Sequence, residues 1–498
     1  MRIADPSAGN CHSATSPTDE WILSERADRP EEACGVFGAY APGEDVARLT
    51  YFGLHALQHR GQESAGIAVA DGSTLTVVKN LGLVPQAFTE SDLNTLTGHV
   101  AIGHTRYSTT GCSTSWENAQ PMLSSIGATT IALAHNGNLV NTSELRQALR
   151  GNGIRFRSTT DSEVMTSLVG YFTQKHNSIR AGIRETMHYI RGAYSVVMMS
   201  EEALYAFRDP YGVRPLVIGQ LPSGGWILSS ETCGLDIVGA TYVRDVAPGE
   251  MIKLSAAGLE SEQAVPAERP SLCIFEFIYF ARPDSVMYGR GLYEARMAMG
   301  AAIARSAPVE ADVVIGVPDS GVPGAVGYAK ESGIPYGEGL VKNRYIGRTF
   351  ISPSESLRQQ GIRLKLNPLR HVIEGKRLVV VDDSIVRGNT SRKLIALLRD
   401  AGATEVHVRV TAPPVEWPCF YGIDTDTQEQ LIAANQSVEE IRAFIGADSL
   451  AYLSVDDMVA SCGGTADQYC TACFTGDYPI PIPESVQRGK LALEPAVR

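Results

Sequence analysis

The run RLVVVDDSIVRGNTS, residues 377–391, gathers more chemistry than any other stretch of the chain. An apolar strand ends in Asp382 and Asp383, and Ser384, Arg387, Gly388, Asn389, Thr390 and Ser391 then lead into a predicted helix. Backbone N–H groups at a helix start, flanked by hydroxyls and a glycine that permits close approach, form a cradle for a monophosphate. Carboxylates at the C-terminal edge of a strand can accept hydrogen bonds from ribose hydroxyls or hold magnesium, which prefers hard oxygen ligands. The plainer reading is an acid pair that caps the helix. A second strand end, VVIGVPDSGVPGAVGYA, offers Asp319, Ser320 and Gly321 for pyrophosphate or metal contacts. Between the two, KNRYIGRTF supplies Lys342, Arg344 and Arg348, either a cationic lid over a polyphosphate or a solvated basic loop.

A second chemistry rests on sulfur. Cys34 opens CGVFG, and downstream lie GHTRYST (103–109), AHNGNL (134–139) and STTDSE (158–163), each at a strand end or turn. An isolated Cys-Gly is ordinarily a small buried residue beside a turn. Cys470 and Cys473 form a CxxC pair in YCTACFTGDYP, while Cys273 and Cys419 are distant in sequence but could converge with it. Four thiolates can hold an iron–sulfur cluster or tetrahedral zinc, and spacing does not decide between them. Ligand type alone slightly favours zinc. Cys11, Cys112, Cys233 and Cys462 read as buried or incidental thiols.

These residues need a scaffold of several units. The chain has 498 residues, enough for about two to four domains. Hydrophobic residues make up 44% and charged residues 20%, which supplies buried cores and excludes wholesale disorder. A net charge of −12 opposes nucleic acid and anionic membranes and suits a small-molecule enzyme. No apolar run approaches the roughly 20 residues of a membrane span, and no secretory signal is recognisable. A cytoplasmic protein with reduced thiols is therefore expected.

Residues 1–33, rich in Ser, Thr, Asp, Glu and Pro, read as a mobile leader. Residues 34–265 alternate short β-type runs with a few helical stretches, the pattern of a layered α+β domain. The segment 264–272 reads as a linker. In 266–430 apolar strands alternate with helices, the rhythm of an α/β domain with a parallel sheet. Residues 431–498 read as a C-terminal helical segment and a tail carrying the CxxC pair.

CGVFG, GHTRYST, AHNGNL and STTDSE together resemble the class II glutamine amidotransferases. In that N-terminal-nucleophile family, removal of the preceding residues makes the cysteine the first residue. The chemistry fits: a freed α-amino group, with an ordinary pKa near 8, can act as base for its own thiol. The resemblance implies an αββα glutaminase domain with Cys34 as nucleophile. It pairs Arg106 with the glutamine α-carboxylate and Asp161 with its α-ammonium, and forms the oxyanion hole from Asn136 and Gly137. Thr109 and Arg60 become positioning residues, and His135 a structural one.

The stretch 377–391 resembles the phosphoribosylpyrophosphate (PRPP) loop of type I phosphoribosyltransferases. The order of the two units resembles the glutamine PRPP amidotransferase family, over residues 34–483. That resemblance implies conversion of glutamine, PRPP and water into 5-phosphoribosylamine, glutamate and pyrophosphate, the first committed step of purine synthesis. It further implies magnesium at Ser320, Asp382 and Asp383, inhibition by purine nucleotides such as AMP and GMP, and a homotetramer. In one branch of the family, motifs like those of Cys273, Cys419, Cys470 and Cys473 ligate a structural 4Fe-4S cluster, which turns the preference from zinc to iron. The leader is longer than the family's short propeptides, and Gly321 stands where relatives often carry a hydroxyl. Two competing readings are a salvage phosphoribosyltransferase with an inactive appendage and a nonenzymatic iron–sulfur sensor.

Overall fold

The computed structural model describes residues 34–108, 112–127, 129–343, 366–423 and 427–483. The leader, Thr109, Arg344 and Arg348 lie outside them.

The first unit is built on two antiparallel sheets. One has seven strands and contains Gly35–Tyr40 beside Val100–Arg106; the other has six and contains Thr129–Leu139 beside Gly192–Met199. Alternation within each strand decides what packs where. Val36, Tyr40, Val100 and Ile102 meet Ala132, Ala134, Val197 and Met199 between the sheets. Phe37, Ala39 and Ala101 turn the other way, onto the helix Val46–Ala56. Ile131, Leu133, Val196 and Met198 likewise face the helices Asp161–His176 and Ile179–Tyr189. The result is the expected αββα sandwich. Each fully buried Val, Leu, Ile, Phe or Met side chain in these layers contributes about 1.5–3 kcal/mol.

The second unit holds a four-stranded parallel sheet in the order Val313–Gly316, Arg377–Asp382, Glu405–Val410, Ser449–Tyr452. One face packs on the helices Leu292–Ser306 and Val322–Ser332, the other on Asn389–Asp400 and Val438–Ile445. The expected boundary at residue 430 therefore cuts through this layer. SLAY is a four-residue, half-buried edge strand, too short and too little apolar to stand out as a buried strand in the sequence. No helix among the described residues is long and apolar enough to cross a membrane.

A buried ion array joins the two units. Arg60 donates to both Glu231 and Glu276, and Arg214 donates to Glu276 at 3.3 Å; all four side chains are fully buried. Glu231 also accepts from Ser285 Oγ (2.7 Å) and the Arg282 N–H (2.9 Å), and stands 2.6 Å from His59 Nε2. Burial alone would raise the Glu231 carboxyl, but His59 and Arg60 hold it well below the usual carboxylate range. A depressed folded value stabilises the fold above about pH 4.3 and loses that contribution as pH falls further. Glu231→Gln should therefore cost about 3–5 kcal/mol near neutrality, because a buried guanidinium loses a partner. Urea unfolding at pH 7 and pH 4 checks this: the deficit should shrink at the lower pH, and an unchanged midpoint at pH 7 contradicts it.

Candidate active site

Cys34 immediately precedes the strand Gly35–Tyr40 and is buried. Its Sγ donates to the Tyr107 carbonyl (3.1 Å) and accepts from the Tyr107 N–H (3.4 Å). Burial pushes the thiol up to about 12, and the positive charge of Arg106 offsets only part of that rise. The thiol is therefore protonated near neutrality and needs a base before it can attack.

Arg106 ends the neighbouring strand, buried, with Glu63 at 3.8 Å and the Cys112 carbonyl accepting at 3.3 Å. Asp161 begins its helix, where the Thr160 side chain caps by accepting from the Glu163 N–H. The Asp161 carboxylate accepts from the Leu139 N–H at 3.1 Å, and its charge reaches Cys34. One cation, Arg106, and two anions, Glu63 and Asp161, thus act on the thiol. With Glu63 facing Arg106, the set still offers a positive and a negative partner for a zwitterionic amino acid.

Asn136 lies in the strand Thr129–Leu139, fully buried, and among the described residues neither its side-chain nitrogen nor its oxygen has a hydrogen-bond partner. A buried amide left unsatisfied carries a desolvation cost of roughly 1–3 kcal/mol, so it calls for a ligand. Gly137 follows at φ +140, where a Cβ would lie 2.0 Å from the Ala193 carbonyl oxygen. Only glycine fits there. His135 is buried and held neutral by that burial, with Nε2 against the Ala193 carbonyl (3.3 Å) and Nδ1 near the Ser162 hydroxyl (3.4 Å).

Two residues here escaped the sequence reading. Glu63, in the same QHRGQES as Arg60, accepts from the Ser108 N–H (2.8 Å) and hydroxyl (3.0 Å) besides facing Arg106. Gln120 Oε1 accepts from the His135 N–H at 2.8 Å. Arg60 itself belongs to the interdomain ion array.

The second cluster forms where the parallel strands end. Asp382, Asp383 and Ser384 are buried at the tip of Arg377–Asp382. Asp383 accepts from the Ser384 hydroxyl (2.7 Å) and from the Ser320 hydroxyl, so the two strand ends meet. Gly388, at φ +78, precedes the helix Asn389–Asp400, whose first turn carries no side-chain cap. The N–H groups of such a helix start point the way an anion cradle requires. Arg387 donates to Gln430 (2.7 Å), and Lys342 pairs with Asp319 (2.6 Å). Asn389, Thr390 and Ser391 form the first turn of the helix.

The four cysteine segments are also drawn together. Cys273 and Cys470 are register partners in a short parallel pair, and the Ile274 N–H donates to the Cys470 carbonyl. The Glu416 and Trp417 N–H groups donate to the Cys473 carbonyl, which ties the Cys419 segment to the CxxC pair. Burial pushes the Cys273 thiol up to about 12 and raises that of Cys473 well above the ordinary thiol range. Among the described residues, no three His, Cys, Asp or Glu side chains are gathered for a single metal ion.

Comparison with known proteins agrees with both clusters. Residues 104–236 match the glutamine amidotransferase domain family, and residues 292–414 match the phosphoribosyl transferase domain family. The amidophosphoribosyltransferase of Synechococcus elongatus is 57% identical, covering 94% of this chain and 96% of its own. That of Bacillus subtilis is 49% identical, over 91% and 95%. A solved structure of the allosteric regulatory enzyme of purine biosynthesis superposes with a TM-score of 0.87 at 47% identity, covering 92% of this chain and 98% of that one. The Bacillus subtilis glutamine PRPP amidotransferase complexed with ADP and GMP superposes with a TM-score of 0.86 at 47% identity, over 91% and 99%. With such identity running through nearly the whole of both molecules, the chain belongs to the amidophosphoribosyltransferase family.

Proposed function

We propose that the two clusters are the two half-sites of one reaction, in which nitrogen from glutamine replaces the pyrophosphate of PRPP to give 5-phosphoribosylamine, glutamate and pyrophosphate. The observation that carries the glutaminase half is the Asn136 amide, without a hydrogen-bond partner among the described residues, together with a buried thiol whose charge neighbours are Arg106, Glu63 and Asp161. Arg106 takes the α-carboxylate and Asp161 the α-ammonium. Cys34 Sγ attacks the amide carbon, and Asn136 Nδ2 with the Gly137 N–H receives the developing oxyanion. Collapse releases ammonia and leaves a thioester that water hydrolyses. Thr109, outside the described residues, is assigned to glutamine positioning.

Because the thiol is held protonated, the base must lie close and have a moderate pKa. An α-amino group on Cys34 itself meets both conditions, so the chain is cut between Ala33 and Cys34. N-terminal sequencing and intact mass of active protein should both start at Cys34; full activity in protein that keeps residues 1–33 overturns this.

At the second half-site, the residues from Ser384 to Ser391 hold the 5-phosphate, and Asp382 and Asp383 take the ribose hydroxyls. The hard-oxygen set of Ser320, Asp382 and Asp383 suits magnesium, which when bound neutralises the leaving pyrophosphate. Lys342, with Arg344 and Arg348, adds positive charge over the same group. Cys34→Ala should abolish glutamine-dependent formation of phosphoribosylamine and keep turnover with ammonium salt. Loss of both activities would show that the thiol serves folding.

Cys273, Cys419, Cys470 and Cys473 are assigned as ligands of a structural 4Fe-4S cluster. The strand pairing of Cys273 with Cys470 and the hydrogen bonds that tie the Cys419 segment to Cys473 support a shared group, and its role is to tie the C-terminal segment to the parallel-sheet unit. Anaerobically prepared protein should show a broad visible absorption band and about four iron and four sulfide per chain. Zinc without iron sinks the assignment. The reading extends to inhibition by AMP- and GMP-class nucleotides, which the complex of one relative with ADP and GMP supports, and to a homotetramer and a cytoplasmic location.

A further inference from the structure

The strand that carries Asn136 and Gly137 is buttressed from outside its own unit. Gly422, at φ +112, lies so close that a Cβ there would stand 3.2 Å from the Gly137 carbonyl carbon, 3.3 Å from its Cα and 3.1 Å from Arg214 Nη2. Asn138 Nδ2 donates to the Phe420 carbonyl at 3.0 Å. Arg214 donates to the Tyr421 carbonyl through Nε (3.1 Å) and Nη2 (3.0 Å). Three consecutive residues of one turn therefore meet the oxyanion strand or the arginine beside it.

Both ends of this contact are anchored. The Arg214 carbonyl accepts from the Ser195 hydroxyl at 2.8 Å, and Ser195 is the register partner of Asn136. On the other side the Tyr421 hydroxyl donates to the Ile480 carbonyl at 2.6 Å, and the Tyr421 N–H donates to Cys419 Sγ at 3.4 Å. Gly137 also needs its unusual φ to present an N–H, and that conformation has to be enforced by its surroundings.

We propose that residues 419–422 of the second unit are the outer wall of the oxyanion hole, with Arg214, Asn138 and Gly422 as positioning residues that hold the Gly137 N–H on its target. This rests on the assignment of Asn136 and Gly137 as oxyanion donors, and it makes hydrolysis of glutamine dependent on the docking of the two units. None of the three touches the reacting atoms. Their effect must be on kcat for glutamine, because oxyanion donors act on the transition state rather than on substrate binding.

The test compares Gly422→Ala and Asn138→Ala with the parent holoenzyme, using glutamine and ammonium salt as alternative nitrogen donors. Gly422→Ala pushes a methyl group against Gly137, and Asn138→Ala removes one tie without adding bulk, so the pair stays informative if the first fails to fold. Misplacement by a fraction of an ångström should lower glutamine-dependent kcat about 10- to 100-fold for Gly422→Ala. KM for glutamine and the ammonia-dependent rate should stay within about threefold, a split that a general loss of structure does not produce. Asn138→Ala should show the same split with a smaller fall. An equal fall with both donors, a rise in KM alone, or no change in either variant overturns the proposal. If Asn136→Ala leaves kcat unchanged, the donor assignment itself fails and the positioning role goes with it, whereas a parent enzyme inactive with both donors refutes the amidotransfer reading instead.

Discussion

Two arginines and two glutamates, sealed from water at the junction of the units, hold this molecule in its working arrangement. Removing four charges from solvent is costly, and an apolar set of similar volume could be as stable. What an apolar set lacks is direction. Planar guanidinium groups accept only a narrow range of partner orientations, so Arg60 and Arg214 fix how Glu276 of the second unit meets the first. The consequence reaches the nucleophile's surroundings through Gly61, next to Arg60. A Cβ on Gly61 would lie 2.5–2.6 Å from the backbone of Thr105 and Arg106, so the strand that carries Arg106 rests directly on this corner.

The glutaminase half keeps a buried thiol protonated and a buried amide without partners among the described residues. The thiol is comfortable as the neutral group, hydrogen-bonded to Tyr107, and only its ionised form is penalised. The amide is the costly group, since it is shielded from water and unpaired. On the proposed assignment that cost is recovered when charge appears on a substrate oxygen beside it. Several groups around it are satisfied: Asp161 accepts from Leu139, Glu63 from Ser108, and His135 is locked by Gln120 and Ala193. The phosphoribosyl half follows the same economy, with an uncapped helix start beside a hydroxyl-bonded acid pair.

Local chemistry was readable wherever it occupied one short stretch. The acid pair, the glycine and the hydroxyls of 377–391 fall within fifteen consecutive residues, and the strand-to-helix turn they announce is present. Strand alternation likewise separated the αββα unit from the parallel-sheet unit. The edge strand Ser449–Tyr452 was missed because edge strands need little burial, and half-exposed residues leave a weak periodic signal. Glu63 was missed for a different reason. Its carboxylate acts on Arg106 and Ser108, more than forty residues away, and nothing local marks that reach.

Residue type and order by themselves determined the strand and helix rhythms of the two units and the acid pair, glycine and hydroxyls of 377–391, since each depends on neighbours a few positions apart. Cys34 as nucleophile and the Arg106–Asp161 pair, by contrast, followed only from the resemblance of motifs far apart in the chain. Tertiary structure alone decided the partners of Arg60, which lie 171 and 216 residues away, and the contact between Gly137 and Gly422. The physical reason is that a hydrogen bond or an ion pair is defined by distance in space. A chain that closes two units over one buried array creates such distances only after it has folded.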